Sequence, residues 1–188
     1  MFFNKKIIYL PIGSSCKVAW YLNKHGLRTE AYPFDWVVIP INSAIKLLNN
    51  NFQDFFQVSN LIFLEPTNRL LFKDDDKNPE LTEDIITPVY DKKYNILYVH
   101  DFSKNGKIEY ELIKQKYMKR VRRLQKIWNI EKYKIYCIYD DTELNDWQIS
   151  QYKKVDYKYI KNDKLLTLKR KKSILISLSD FKKKKEIL

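Results

Sequence analysis

The 188 residues contain two cysteines, Cys16 and Cys137, and two histidines, His25 and His100, so few nucleophilic arrangements can be written. A thiol becomes reactive near neutral pH when an imidazole lies within reach, because imidazolium stabilises thiolate and can later protonate the leaving group. His25 follows Cys16 by nine positions along one helical stretch. That is roughly 13 Å along the axis at about 1.5 Å per residue, too far for a pair. Cys137 lies inside YKIYCIY, sharing a strand face with Ile135 and Tyr139, and reads as a packing residue. Cys16 with His100 is the pair that remains. Asp35, Asp101 and Asp140 are alternative residues to orient the imidazole. Asp101 could do so only if the strand has ended at His100, since neighbouring strand residues point to opposite faces.

Cys16 follows Gly13-Ser14-Ser15 at the expected start of a helix, where unsatisfied N–H groups and the positive end of the helix dipole favour a thiolate and could hold an oxyanion. The same N–H groups support an alternative in which Gly13, Ser14 and Ser15, with Arg28 or Lys17, hold an anionic ligand of the phosphorylated-sugar type. The segment Tyr32-Pro33-Phe34-Asp35-Trp36 sets a carboxylate between aromatic rings. Burying it requires a charge partner or hydrogen bonds, which makes Asp35 a site or network residue and places Trp36 as a candidate cleft wall.

Other chemistries are excluded or poorly matched. With Gly13, Gly26 and Gly106 as the whole glycine set, neither a Walker phosphate loop nor a dinucleotide fingerprint can be written, so no cofactor is expected. The run Asp74-Asp75-Asp76 lacks the spaced oxygen ligands and closing glutamate of a calcium loop, and no metal is expected. The net charge of +12 is unequally divided: residues 1–152 hold 22 Lys or Arg against 19 acids, and 153–188 hold 13 against 4. No nucleic-acid recognition motif accompanies that basic portion, which reads as solvated lysine faces. The expected substrate is a small molecule or peptide.

The elements that must position these residues are strands alternating with helices. KKIIYLPI (5–12) is a β-rich run with Pro11 near its end; a turn at Gly13 leads into a helix over about 16–25, with Ser14 or Ser15 as cap and Gly26 as stop. Residues 27–40 form a loop over that helix, and 42–56 carry Ile45, Leu48, Phe52, Phe55 and Phe56 near helical spacing. NLIFLEP is a short strand, 73–88 a polar surface excursion, and 94–100 a buried strand ending at His100-Asp101. A long helix over 108–128, a strand over 133–139 ending at Asp140-Asp141, and a helix over about 142–154 follow. Short β-like runs stand near 155–160 and 173–178. With no clean hairpin dipeptide, the pattern predicts a single three-layer α/β domain over 1–180, its mainly parallel sheet covered by helices on both faces, and a solvated basic tail over 181–188. The three polar strand ends would then share one crevice.

At 45% hydrophobic residues the chain can fill one core, and no apolar run is long enough to span a membrane. Two isolated cysteines suggest reduced thiols in a cytoplasmic setting.

Taken together, IGSSCKVAWYL, GLRTEAYPFDW and YVHDF resemble a family of unknown function described as putative papain-like cysteine peptidases. The likeness covers the first hundred residues, continues more loosely through YKIYCIY, and does not extend into the lysine-rich end. It implies that Gly13, Cys16, Pro33, Phe34, Asp35, Trp36, His100 and Asp101 are signature positions, with Cys16 the nucleophile and His100 the base. Lys17 stands where an aromatic follows the cysteine in papain-type enzymes, and Leu10 stands near the place of their oxyanion glutamine. The expected function is a cysteine-dependent hydrolase or acyl transferase; the alternative is the anion-binding α/β domain.

Overall fold

The computed structural model describes residues 6–74, 79–157, 166–170 and 173–185. β1 (Ile7–Pro11) leads through the Gly13 turn into α1 (Lys17–Lys24), and a loop then reaches β2 (Val37–Val38) and α2 (Ile41–Asn49). β3 (Leu61–Phe63), the hairpin of β4 (Thr67–Asp74) and β5 (Pro79–Ile86), β6 (Val89–Asp91) and β7 (Ile96–Tyr98) follow. The rest comprises α3 (Tyr110–Trp128), β8 (Lys134–Tyr139), α4 (Asp146–Lys153), β9 (Ser173–Ser177) and α5 (Leu178–Lys185).

β8 is the middle strand of a parallel sheet ordered β1-β8-β9, with Leu10 opposite Cys137 and Cys137 opposite Leu175. Strand alternation divides its side chains between two layers. Ile8, Leu10, Ile135 and Cys137 enter the main core with Tyr117, Val121 and Leu124 of α3 and Ile45 and Leu48 of α2. On the opposite face Ile138 and Ile176 pack with Val18 and Leu22 of α1 and with Leu178 and Phe181 of α5. The parallel sheet is therefore covered by helices on both sides, as α/β patterning predicts.

A mainly parallel sheet is not what forms. The second sheet, β2-β7-β6-β3, is antiparallel throughout, and β4 pairs with β5 in a separate antiparallel hairpin from Thr67 opposite Ile86 to Asp74 opposite Pro79. Most of the expected polar excursion at 73–88 thus belongs to a ladder. The reversal between β6 and β7 uses no Asn-Gly pair. The Asp91 carboxylate accepts the N–H groups of Lys93 at 2.8 Å and Tyr94 at 3.2 Å, and Asn95 takes a φ of 56°. Asp and Asn supply such local bonding and left-handed backbone without glycine.

Three helix limits also differ, α4 beginning at Asp146 behind an Asn145 cap and not near 142. α2 stops at Asn49, and Asn51, Phe52, Asp54 and Phe56 have positive φ. The aromatic spacing that reads as a continuing helix comes instead from a coiled turn that buries Phe52, Phe55 and Phe56. The Phe56 ring lies 4.9 Å from those of Tyr98 and Tyr117, within the range of favourable aromatic pairs. At the other end, Phe181 is only 6% exposed and sits 5.2 Å from the Tyr9 ring. The expected solvated tail is therefore a helix through Lys185, anchored by one aromatic side chain. Residues 158–160 of the expected run near 155–160 lie outside the described residues.

Candidate functional site

The carboxyl ends of β1 and β8 meet at the cysteine turn. Gly13 has a φ of +113°, and a Cβ there would lie 2.8 Å from the Ile39 carbonyl oxygen, so this turn demands glycine both for its backbone and for its close approach. The Ile39 N–H donates to the Ser14 carbonyl at 3.1 Å, and the Asp140 N–H donates to the Gly13 carbonyl at 2.7 Å. Ser14 is thereby bridged to Ile39, just past β2, which ties the parallel sheet to the antiparallel one.

Asp140 fastens the turn from beside it. Ser15 Oγ donates to Asp140 Oδ2 at 2.6 Å and accepts the Lys17 N–H at 3.2 Å. The Thr142 hydroxyl donates to Asp140 Oδ1 at 2.7 Å and accepts from Lys17 Nζ at 2.7 Å. Lys17 Nζ stands 3.8 Å from Asp140 Oδ2. Two of the three expected strand ends, at Gly13 to Cys16 and at Asp140, are thus in direct contact.

Cys16 is the N-cap residue of α1 and makes no side-chain capping bond; Ser15 Oγ accepts the first helical N–H, that of Lys17. It is half-buried, against Ala19 and Trp36. Burial pushes its thiol above the ordinary value of 9.0, and the Asp140 carboxylate adds to that rise; the cysteine's own backbone N–H and the Lys17 ammonium pull the other way. Desolvation disfavours the thiolate more than the helix start and its lysine favour it. Cys137 is fully buried in β8, and the absence of surrounding water raises its thiol to about 12. His25 is exposed and stacks near Tyr21, with ring centroids 4.3 Å apart.

His100 is half-buried, two residues beyond the end of β7. Tyr98 is paired with Val37 in antiparallel register, which is where the β2–β7 ladder ends.

The two signature aspartates belong to a buried charge cluster. Arg28 Nε donates to Asp35 Oδ2 at 2.7 Å, the Tyr32 N–H donates to the same oxygen at 3.1 Å, and the Arg28 guanidinium lies 5.5 Å from the Trp36 ring centroid. Burial still raises the Asp35 carboxyl above its ordinary value, against the pull of Arg28, Arg120 and these donors. Asp35 Oδ1 has no hydrogen-bond partner among the described residues, which fits an incompletely compensated charge. At Asp101 the balance is reversed. Burial would raise it, but Lys116, Arg120 and the Tyr117 hydroxyl hold it below the ordinary 3.8. Lys116 Nζ and Tyr117 Oη donate to its two oxygens, each at 2.6 Å.

Arg28 therefore serves Asp35, and Asp101 is held by α3. Arg120, 3% exposed on α3, lowers both aspartates and so links the segment before β2 to the one after β7. Sequence reasoning missed Arg120, Lys116, Tyr117 and Thr142. A signal for Arg120 existed: it follows Ile113 by seven positions and Tyr117 by three, placing a cation on the apolar face of a helix. Among the described residues no group of three or more His, Cys, Asp or Glu could hold a metal ion, and no helix is long and apolar enough to cross a membrane. Asp75 and Asp76 of the acidic run lie outside the described residues.

Comparison with known proteins adds a relative from Acanthamoeba polyphaga mimivirus, the uncharacterized protein R408, which is 31% identical over 144 residues. The alignment takes in 73% of this chain and 63% of that protein, so the chain spans less than two thirds of the relative's length. No solved structure matches the chain. The family match extends over residues 7–151, from β1 through most of α4, and so includes the cysteine turn, the Asp35-Trp36 segment, His100-Asp101 and Asp140. On that coverage the chain belongs to the family described as "putative papain-like cysteine peptidase" (DUF1796).

Proposed function

We propose that the chain is a cysteine-dependent hydrolase or acyl transferase acting on an amide or thioester, with Cys16 as nucleophile and His100 as its base. The observation that supports this reading is a half-buried thiol on a strand-turn-helix, packed against Trp36, the residue that precedes the β2 pairing of Val37 with Tyr98. In the reaction the Cys16 sulfur attacks the carbonyl carbon as its proton passes to the imidazole. The imidazolium then returns that proton to the departing amine or thiol, leaving a thioester on Cys16. Water or a second nucleophile attacks the thioester and releases the acyl group. Because burial holds the resting thiol protonated, His100 acts as a general base during attack and not as half of a standing ion pair, a role worth roughly 10²–10⁴ in rate.

Two contacts argue against the anion-binding alternative at this turn. The Asp140 carboxylate already occupies the side where Ser15 and Lys17 would receive an anion, and Arg28 is committed to Asp35.

Alkylation tests the assignment. With limiting iodoacetamide, Cys16 should label much faster than Cys137, whose thiol is buried and raised to about 12. The Cys16 rate should climb through pH 9. In an acyl-transfer assay with generic thioester substrates, Cys16→Ala should abolish turnover, and His100→Ala should reduce it about 10²-fold or more while His25→Ala has no effect. Turnover that survives Cys16→Ala would end the hydrolase reading. Equal rates in His100→Ala and the parent would remove His100 as the base.

A further inference from the structure

Away from the cysteine turn, a cavity of about 610 Å³ opens between α3 and the amino-terminal end of β1. We propose that it binds a small molecule bearing two or more clustered phosphates, at a site separate from Cys16. Among the described residues five cations line it: Lys6, just before β1, and Lys119, Arg122, Arg123 and Lys126 from α3. Among the described residues Glu30 is the one acid in the lining, and it lies 3.6 Å from Arg123, whose guanidinium also donates to the Ala31 carbonyl at 2.7 Å. Positions 119, 122, 123 and 126 fall on one helix face, each within three or four residues of another. Like charges at that spacing repel one another. An anion of several charges placed between them relieves that repulsion directly.

The shape favours a compact ligand. The cations converge on a concavity from two elements instead of following one extended ridge, and the volume falls within the range of about 300–1,000 Å³ common for small-molecule sites. Arginine offers paired donors that match phosphate oxygens, and lysine adds charge whose direction adapts to the ligand. The site stands at the end of β1 opposite the turn that carries Cys16.

Calorimetric titration of the full chain at low salt provides the test, with inorganic tripolyphosphate, a nucleoside triphosphate and single-stranded oligonucleotides of increasing length as probes. The expected result is saturable one-to-one binding of tripolyphosphate. The double variant Arg122→Glu/Lys126→Glu should weaken it about tenfold or more, since each charged hydrogen bond lost is worth about that factor. Both positions are exposed, so circular dichroism should report an unchanged fold. Lys183→Glu/Lys184→Glu, the same charge change on α5, should leave binding intact, as should Cys16→Ala. A nucleoside triphosphate that binds no tighter than tripolyphosphate identifies the phosphates alone as the ligand; tighter binding adds a ring contact, and both results support the site. Equal weakening by the α5 variant, or binding without saturation, would reduce the effect to bulk charge and overturn the proposal. Loss in Cys16→Ala would also overturn it, by moving the ligand to the cysteine turn. Affinity that rises with oligonucleotide length and surpasses both small probes would replace the small ligand by a nucleic-acid strand.

Discussion

At Gly13 two constraints coincide, a left-handed φ and a contact with backbone that cannot swing aside. Gly26 has the first constraint without the second: its φ is +63° and nothing lies within 4 Å of an added Cβ. Gly26→Ala should therefore cost about 1 kcal/mol, the ordinary penalty of left-handed backbone, and Gly13→Ala about 2–3 kcal/mol. Denaturant titration measures both; equal losses would show that the Ile39 contact carries no weight. Asp101 offers a second test, through pH. Its carboxyl is held below 3.8, so its stabilisation is complete above that value and is lost as pH falls through the lower folded value. Asp101→Asn should cost about 3 kcal/mol at neutral pH, because Lys116 is left without its partner, and should flatten the fall in stability below pH 3.8. An unchanged acid limb would remove Asp101 from the buried network. Much of this was legible one residue at a time. An aspartate between Phe34 and Trp36 requires a partner wherever it is buried, and Arg28 fills that need. That Lys116 and Tyr117 claim Asp101 was not legible, because the bonds depend on where α3 docks.

Element by element, legibility followed pattern length. β1 and β8 carry enough alternation to declare themselves, and the apolar stripe of α3 spans most of its 19 residues. β3 and β7 showed as the apolar runs NLIFLEP and 94–100 while β2 and β6 did not, and with two or three residues each none of the four carries a period that fixes its pairing. The same limit misled the reading of the carboxyl-terminal end. One aromatic among lysines looks too little to dock a helix, yet Phe181 fills a gap left by Tyr9, Tyr21 and α1. Phe181→Ala should lower stability by about 3 kcal/mol, whereas Lys184→Ala, at an exposed position, should stay within about 0.5 kcal/mol. Thermal melting distinguishes them, and a negligible loss at Phe181 would restore the solvated tail.

For the whole molecule, the α/β class was legible because helices and strands alternate at both ends of the chain. The insertion of an antiparallel sheet between them was not. It rests on contacts such as Ser14 with Ile39 and Val37 with Tyr98, which no local pattern announces. Closure of the parallel sheet is equally remote in sequence, since Ser15 finds Asp140 across 125 positions. That separation bears on how the chain is made. β1 and α1 are synthesised early, but β8, β9 and α5, which cover the apolar side of α1, emerge from the ribosome far later. Until then Val18 and Leu22 have no lasting cover and the cysteine turn lacks the carboxylate that fastens it. The turn that carries Cys16 is therefore fastened only once Asp140, 125 positions after Ser15, has been made.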